Sequence, residues 1–380
     1  MQYRMLGKLG TKVSALGFGC MRLPITEDGK INRLEAIKLI RKGIDNGITY
    51  VDTAWTYHGG ESEVVLGMAL KDGYRERVTL VTKCPVGRQE FTKQEHFDQY
   101  LDEQLQRLDE ESVDFYLFHA LNKKTFEEKV LGLNLLERAM KAKEDGKIKH
   151  LGFSFHDTPE VLKEIIDSGY FELMLVQYNI VDQVNHEMIN YAGRKGLAVA
   201  TMGSVGGGRL AGKNLPEEMK EWLTPGRENY VDLAFKFVLS NPNVSVALSG
   251  MGSGDMLNDN LSITSSADYN VLTKTEKKSI DGIAKRFKEL CDLVCTQCKY
   301  CQPCPNEVNI NFIFESLQRY QIYGDQAKAK SYYSTIGKTP WAQGKDASAC
   351  EECGECLEKC PQGIDIIEQL KKAHEILSAK

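Results

Sequence analysis

Apolar and polar positions follow two alternating periods over roughly the first 280 residues. Short β-branched or apolar runs recur at residues 13–18, 49–52, 78–83, 113–119, 150–154, 173–177, 197–201 and 244–248. Between them lie segments with apolar residues three and four apart, at 33–46, 61–71, 93–108, 125–145, 159–168, 187–195 and 231–239. A short apolar run bounded by turn residues predicts a strand, and the wider spacing predicts an amphipathic helix. Asp157-Thr158-Pro159 predicts a helix start, with Thr158 as cap and Pro159 in the first helical position. Strands that alternate with helices predict a parallel sheet, and eight such units predict a closed (β/α)8 TIM barrel. The alternative is a doubly wound open sheet. A Gly-rich turn after the first strand, with an acid about 20 residues later, would mark that fold, and no convincing one is present.

The alternation stops in the last quarter. Of the eleven cysteines, eight fall there in two runs that each end in Cys-Pro. The first is Cys295, Cys298, Cys301 and Cys304, followed by Pro305; the second is Cys350, Cys353, Cys356 and Cys360, followed by Pro361. Such paired runs are the ligand pattern of two 4Fe–4S clusters, with the fourth cysteine of each run crossing to the other cluster. The pairing expected is Cys295, Cys298, Cys301 and Cys360 on one cluster, with Cys350, Cys353, Cys356 and Cys304 on the other. Two four-thiolate zinc sites are the alternative use of eight cysteines. The first run is one residue short before Cys304, which leaves Cys291 as a substitute ligand. Cys20 and Cys84 lie outside both runs and read as small buried hydrophobes. Between the runs, 310–323 reads as a helix with Phe, Leu, Tyr and Ile on one stripe. Residues 328–346 read as loop, and 275–290 as a helix joining two domains.

Length and composition agree with this division. The chain has 380 residues, enough for a barrel of about 250 residues and a small appendage. The division expected is a barrel domain over 1–285 and an iron–sulfur domain over 286–380. Hydrophobic content of 42% and charged content of 27% are those of a globular protein, and the formal charge of −5 comes with no sustained basic run. A nucleic-acid partner is therefore not expected. No apolar stretch approaches the ~20 residues of a membrane span, and the first residues lack the apolar core of a signal peptide. Thiolates kept reduced fit a cytoplasmic location.

Catalytic groups of such barrels sit where strands end. The strand ends carry Asp52, Lys83, His119, Ser154 and Gln177. Together with their neighbours they resemble the aldo-keto reductase family. Asp52-Thr53-Ala54, Tyr57 and Glu63 look like its Asp-Thr-Ala…Tyr…Glu signature. Leu80-Val81-Thr82-Lys83 looks like its lysine strand, and Asp114-Phe115-Tyr116-Leu117-Phe118-His119 like its histidine strand. The resemblance runs from about residue 1 to 285 and implies an α/β barrel that passes hydride between NAD(P)H and a carbonyl or alcohol.

The chemistry asks for these residue types. Hydride arriving at a carbonyl carbon builds negative charge on oxygen, so an acid must give a proton and fixed donors must hold the oxygen. A tyrosine with a pKa near 10 needs an adjacent ammonium to favour its phenolate. Tyr57 is thus expected as proton donor, Lys83 as its tuning cation, Asp52 as the lysine's partner and His119 as the donor that orients the carbonyl. For the cofactor, the resemblance implies contacts from Ser154 and Gln177, from Met202, Gly203, Ser204, Gly208 and Leu210 on the Gly-rich stretch after the seventh strand, and from Gly250, Met251, Ser253, Asp259 and Asn260 after the eighth. Gly250 and Met256 stand where the family has basic residues for the 2′-phosphate of NADP. That leaves NAD against NADP open, and leaves room for a flavin (FMN).

Two functions follow. The first is a carbonyl-reducing or alcohol-oxidising enzyme acting on a small molecule, with two 4Fe–4S clusters for electron relay or structure. The second is an electron-transfer protein that links a partner ferredoxin or flavoprotein to a flavin or nicotinamide in the barrel. Hydride is a two-electron step, each cluster passes one electron, and a flavin bridges the two well.

Overall fold

The structure is a computed structural model that describes residues 1–212, 214–323, 325–339 and 342–379. It divides into two compact units. One comprises Met1–Thr26, Lys30–Ser204 and Phe235–Val271; the other comprises Glu27–Gly29, Val205–Ala234 and Leu272–Lys380.

The first unit opens with an antiparallel hairpin, β1 (Tyr3–Met5) and β2 (Lys12–Ser14). Eight parallel strands follow: β3 (Leu16–Gly19), β4 (Tyr50–Asp52), β5 (Thr79–Cys84), β6 (Val113–Leu121), β7 (Ile148–Phe155), β8 (Leu173–Gln177), β9 (Ala198–Met202) and β10 (Val246–Ser249). They pair in sequence order, and β10 pairs with β3, so the sheet closes into a barrel. The run 13–18, expected as one strand, is two. Ala15 ends the hairpin strand, and only Leu16 onward enters the barrel. Around it run α1 (Arg33–Asp45), α2 (Glu61–Ala69), α3 (Glu95–Leu108), α4 (Leu135–Glu144), α5 (Pro159–Asp167) and α6 (His186–Lys195). The helix expected over 125–145 is broken. A π-helical turn over Thr125–Leu131 precedes α4, and Asn134 between them has a left-handed φ of 55°. Thr158 precedes α5, but its side chain makes no cap bond.

Alternate residues of the strands fill the barrel, among them Tyr50, Val81, Phe115, Leu117, Leu173, Leu175, Val246 and Leu248. Leu6 and Val13 of the hairpin segment join the same core. Residues of the opposite parity face the helices, as the two-residue period of a strand requires. The parallel register sets Asp52 beside Val81, Lys83 beside Leu117 and Ser154 beside Leu175, which gathers the polar strand ends at one mouth.

Three further helices follow in sequence, α7 (Glu217–Lys220), α8 (Val231–Ser240) and α9 (Gly254–Ser265). The second unit then adds α10 (Lys274–Leu290), α11 (Ile310–Ile322), α12 (Gln326–Ser334), α13 (Glu355–Lys359) and α14 (Ile366–Ser378). Thr273 and Glu276 start α10 with a reciprocal capping box. Helix α11 packs on α12 and α14, with Phe312 stacked on Tyr332 at 4.3 Å. The expectation of loop across 328–346 therefore fails over its first part, where α12 forms; residues 340 and 341 lie outside the described residues. Polar residues dominate α12 on the sequence level, and the stacking on α11 is what holds it.

Candidate active site and cluster centres

Four side chains from four segments meet at the barrel mouth. Lys83, near the end of β5, has only 1% of its side chain exposed, and Asp52, at the end of β4, has 3%. The Lys83 ammonium donates to Asp52 Oδ1 at 2.5 Å, to Thr53 O at 2.6 Å and to Tyr57 Oη at 3.3 Å. An ammonium has three protons, so these acceptors use all of them. Its charge also lies 4.8 Å from the Tyr57 ring centroid. The His119 and Tyr57 rings are 6.0 Å apart at 79°, edge to face.

Burial raises the Asp52 carboxyl above its usual range, and Lys83 pulls the other way. Among the described residues Asp52 Oδ2 has no hydrogen-bond partner. Burial also pushes His119 well below the usual imidazole range, and the Lys83 charge adds to this. His119 is therefore a neutral ring at neutral pH, and a neutral imidazole keeps one N–H to donate.

Local backbone places these groups. From Tyr57 the chain turns through His58, Gly59 and Gly60, all with positive φ, into α2. Gly60 has a left-handed φ of 94°, which favours glycine there. His119 sits at a bulge where the β6–β7 register shifts between Phe118 and Leu121, and Ala120 has φ 54°. The Ala120 N–H donates to Ser154 Oγ at 2.7 Å, which holds the bulge and so the direction of His119.

Behind Lys83 lies a buried polar network that sequence reasoning missed. Glu63 Oε1 accepts from Thr82 Oγ1 and from Gln104 Nε2, both at 2.6 Å. Gln104 Nε2 also reaches Lys83 O at 3.1 Å, Tyr116 donates to Gln104 Oε1 at 2.7 Å, and Arg107 pairs with Glu63 at 3.3 Å. Gln104 shares the buried face of α3 with Phe97, Leu101, Leu105 and Leu108. A polar residue on an otherwise apolar stripe was the available signal.

The expected cofactor positions of the barrel unit fall into three groups. Gln177, at the end of β8, donates to Asp182 Oδ2 at 2.5 Å. After β9, Met202 is half-buried and Gly203 has φ 66°; its carbonyl accepts from Asn179 at 2.9 Å, while Ser204 is buried. After β10, Ser253 caps α9 by accepting from Met256 N at 3.3 Å, and Asn260 donates to Ser249 Oγ at 3.0 Å. Asp259 lies on the same helix, and Met251 is fully buried. A Cβ on Gly250 would lie 2.9 Å from Arg22 Cβ, so the Arg22 stem occupies the space of a side chain there. Strand-end amides and hydroxyls, an open glycine turn and a capped helix start are groups that fit a dinucleotide. Gly208 and Leu210 belong to the second unit.

In that unit the cysteines gather as two sets. Cys295 and Cys301 each feel the charges of Cys298 and Cys360, and burial pushes both up to about 12. Cys356 feels Cys350, Cys304 and Cys353. The latter four line one cleft with Pro303, Pro305 and Leu370. Among the described residues no three His, Cys, Asp or Glu groups converge closely enough to hold a single ion. Two sets of four thiols are the ligand complement of two 4Fe–4S clusters. Cys291 stands apart, its thiol donating to Gln321 Oε1 at 3.0 Å. Cys20 and Cys84 are fully buried.

The fold and the cysteine sets define a closed parallel barrel protein with an eight-cysteine appendage. The chain belongs to the aldo/keto reductase family, whose profile matches residues 15–285, and it carries a 4Fe-4S dicluster domain matching 294–364. A probable aldo-keto reductase of Glycine max is 27% identical over 221 residues, 56% of this chain and 62% of that protein, so the match spans less than two thirds of that relative. An uncharacterized oxidoreductase of Bacillus subtilis is 26% identical over 75% of this chain and 97% of its own. Among solved structures, the holo form of an aldo-keto reductase from Bacillus halodurans is similar at a TM-score of 0.64, with 26% identity, over 75% of this chain and 96% of its own. The flavin alternative finds no support among these proteins. No described helix is long and apolar enough to cross a membrane.

Proposed function

We propose that the barrel transfers hydride between NAD(P)H and the carbonyl or alcohol of a small molecule, with Tyr57 as proton donor. The observation that carries this reading is the three-way use of the Lys83 ammonium, which ends on the Tyr57 oxygen at 3.3 Å. Family membership supports it.

A bound reduced nicotinamide would supply the hydride. This chain's own groups handle charge and proton. Asp52 and Thr53 O hold Lys83 in one place. Lys83 donates to the Tyr57 oxygen, so the phenol proton is available to a carbonyl oxygen, and the phenolate left behind faces a fixed cation. His119, neutral and directed by the Ser154-held bulge, donates an N–H to the same oxygen. In the oxidising direction Tyr57 takes the proton back. Ser154, Gln177, Met202, Gly203, Ser204, Gly250, Met251, Ser253, Asp259 and Asn260 are the barrel residues proposed to contact the cofactor, and the barrel domain is taken as 1–285.

Tyr57→Phe tests the assignment. The variant should bind the nicotinamide nucleotide as the parent does and reduce a panel of aldehydes and ketones at least 100-fold more slowly, the lower end of general-acid contributions. Reduction at the parent rate would end the reading.

A further inference from the structure

The strands that carry the mouth residues are tied together on their outer side. Val81, Phe115 and Leu117 fill the barrel, so Thr82 and Tyr116 point the other way, toward the helices. The two stand side by side in the β5–β6 register. Gln104 of α3 reaches both: its Nε2 donates to Thr82 Oγ1 at 2.9 Å, and its Oε1 accepts from Tyr116 Oη at 2.7 Å. The same Nε2 lies 2.6 Å from Glu63 Oε1 and 3.1 Å from Lys83 O, so its two protons are shared among three acceptors. Each contact leads to a mouth residue. Glu63 is in the first turn of α2, six residues after Tyr57; Lys83 O belongs to the ammonium-bearing residue; Tyr116 lies three residues before His119. Ser62, beside Glu63, shares a hydrogen bond with Thr53 Oγ1 at 2.9 Å, next to Asp52, and donates to Cys20 O at 3.0 Å. Ser62, Glu63, Thr82, Gln104 and Tyr116 are all 0% exposed, so bulk water does not compete for these bonds.

We propose that Gln104 is a positioning residue for the hydride transfer: it locks β5 against α2 and so sets the Lys83 ammonium on the Tyr57 oxygen. This rests on the reading of Tyr57 as proton donor. The bond to Tyr57 Oη is the longest the ammonium makes, 3.3 Å against 2.5 Å to Asp52 and 2.6 Å to Thr53 O. A shift of the Lys83 backbone is therefore taken up at Tyr57, while the buried ion pair holds. Tyr57 faces Lys83 from β5 and His119 from β6, with Asp52 of β4 behind the ammonium; Glu63 and Arg107 are the charges on the network side. Of these, the Lys83 charge is the one whose distance Gln104 sets. A misplacement on the order of 1 Å, caused by a residue away from the chemistry, can cost about 100-fold in rate.

Gln104→Met keeps the length of the side chain and removes the amide. The full chain, reconstituted anaerobically with both clusters, is assayed for kcat and KM on the aldehydes and ketones above and for nucleotide affinity by calorimetry. The ionisation of Tyr57 is read as the tyrosinate absorbance lost on Tyr57→Phe in each background. Expected are a kcat about 10- to 100-fold lower, with KM and nucleotide affinity within about twofold of the parent. Ionisation of Tyr57 should move up by about one pH unit, as a cation drawn back from 3.3 Å to about 5 Å would give. Leu101→Ala opens a cavity on the same face of α3 with the network intact, and should keep the parent kcat and Tyr57 ionisation. If it reproduces either change, loss of packing is the cause and the proposal is overturned. A parent kcat or a parent Tyr57 ionisation in Gln104→Met overturns it too, and with Tyr57→Phe slow the proton-donor reading still stands. Tyr57→Phe at the parent rate ends that reading and the positioning role with it. If Gln104→Met does not fold, Thr82→Val takes its place, removing the hydroxyl between Glu63 and Gln104. A smaller upward shift of Tyr57 ionisation then supports the proposal, and no shift overturns it.

Discussion

Replacing Lys83 with methionine isolates the ion pair on which the proposed chemistry depends. Methionine keeps the length and apolar stem of lysine and removes the three protons that Asp52 Oδ1, Thr53 O and Tyr57 Oη accept. Asp52 is the costly one. It has 3% of its side chain exposed, and its Oδ2 already lacks a partner among the described residues. Removing one member of a buried pair costs about 3–5 kcal/mol, because the other is left as an uncompensated charge. The carboxyl escapes that cost by taking a proton. Burial already raises it, and Lys83 is what holds it down, so in Lys83→Met its folded pKa rises further above the unfolded value of 3.8. The sign follows from linkage. A group whose folded pKa is raised favours folding at low pH, and that stability is lost as pH rises through the folded pKa. The destabilisation of Lys83→Met relative to the parent should therefore be near its full value at pH 8 and shrink toward pH 5, by up to about 1.4 kcal/mol per pH unit. Anaerobic urea denaturation followed by circular dichroism at pH 5, 6.5 and 8 measures the difference. Adding Asp52→Asn to Lys83→Met should recover part of the loss at pH 8 and remove its pH dependence. A loss that does not vary with pH, or a double variant no more stable than the single one, would refute the reasoning.

Other perturbations separate the parts. His119 is held well below 6.5 and His156 at about 4, both by burial, so the unfolded chain binds more protons than the folded one between those values and 6.5. Stability contributed by these rings is present above pH 6.5 and is lost as pH falls below it, at up to about 1.4 kcal/mol per unit for each ring; urea midpoints that rise on acidification from pH 7 to 5 would contradict this. Gly67→Ala would bring a Cβ to 2.2 Å from Leu108 O, a backbone atom at the end of α3 that cannot swing aside. It should cost at least about 1–3 kcal/mol in the same denaturation assay. Cys304→Ser should reduce iron from about eight atoms per chain to about four, and Cys291→Ser should leave it unchanged, by metal and sulfide analysis of anaerobically reconstituted protein.

The barrel was legible because each strand and helix declares itself over a few residues and eight repeats leave little choice of closure. The mouth residues Asp52, Lys83 and His119 were legible for a related reason: polar groups at the ends of apolar runs stand out. What escaped was everything decided by packing between distant segments. Nothing near Ser154 announces that its hydroxyl holds Ala120 N–H and so turns His119, and nothing in 326–334 announces a helix until Phe312 is stacked on Tyr332.

The cysteine runs show the same limit from the other side. The two-cluster pattern implied the crossing of Cys304 and Cys360, and in the folded chain Cys360 acts on Cys295 and Cys301 while Cys304 acts on Cys356. Spacing left Cys291 open, and Gln321, thirty residues later, is what occupies its thiol. The Gly-rich stretch is the strongest case. As sequence it is a turn after a strand, and its glycines say only that positive φ is allowed. In the folded chain Gly207 must be glycine because Thr296 leaves no room, and Arg209 is buried rather than exposed on a rim. A loop that reads as belonging to one half of the chain is thus held by the other.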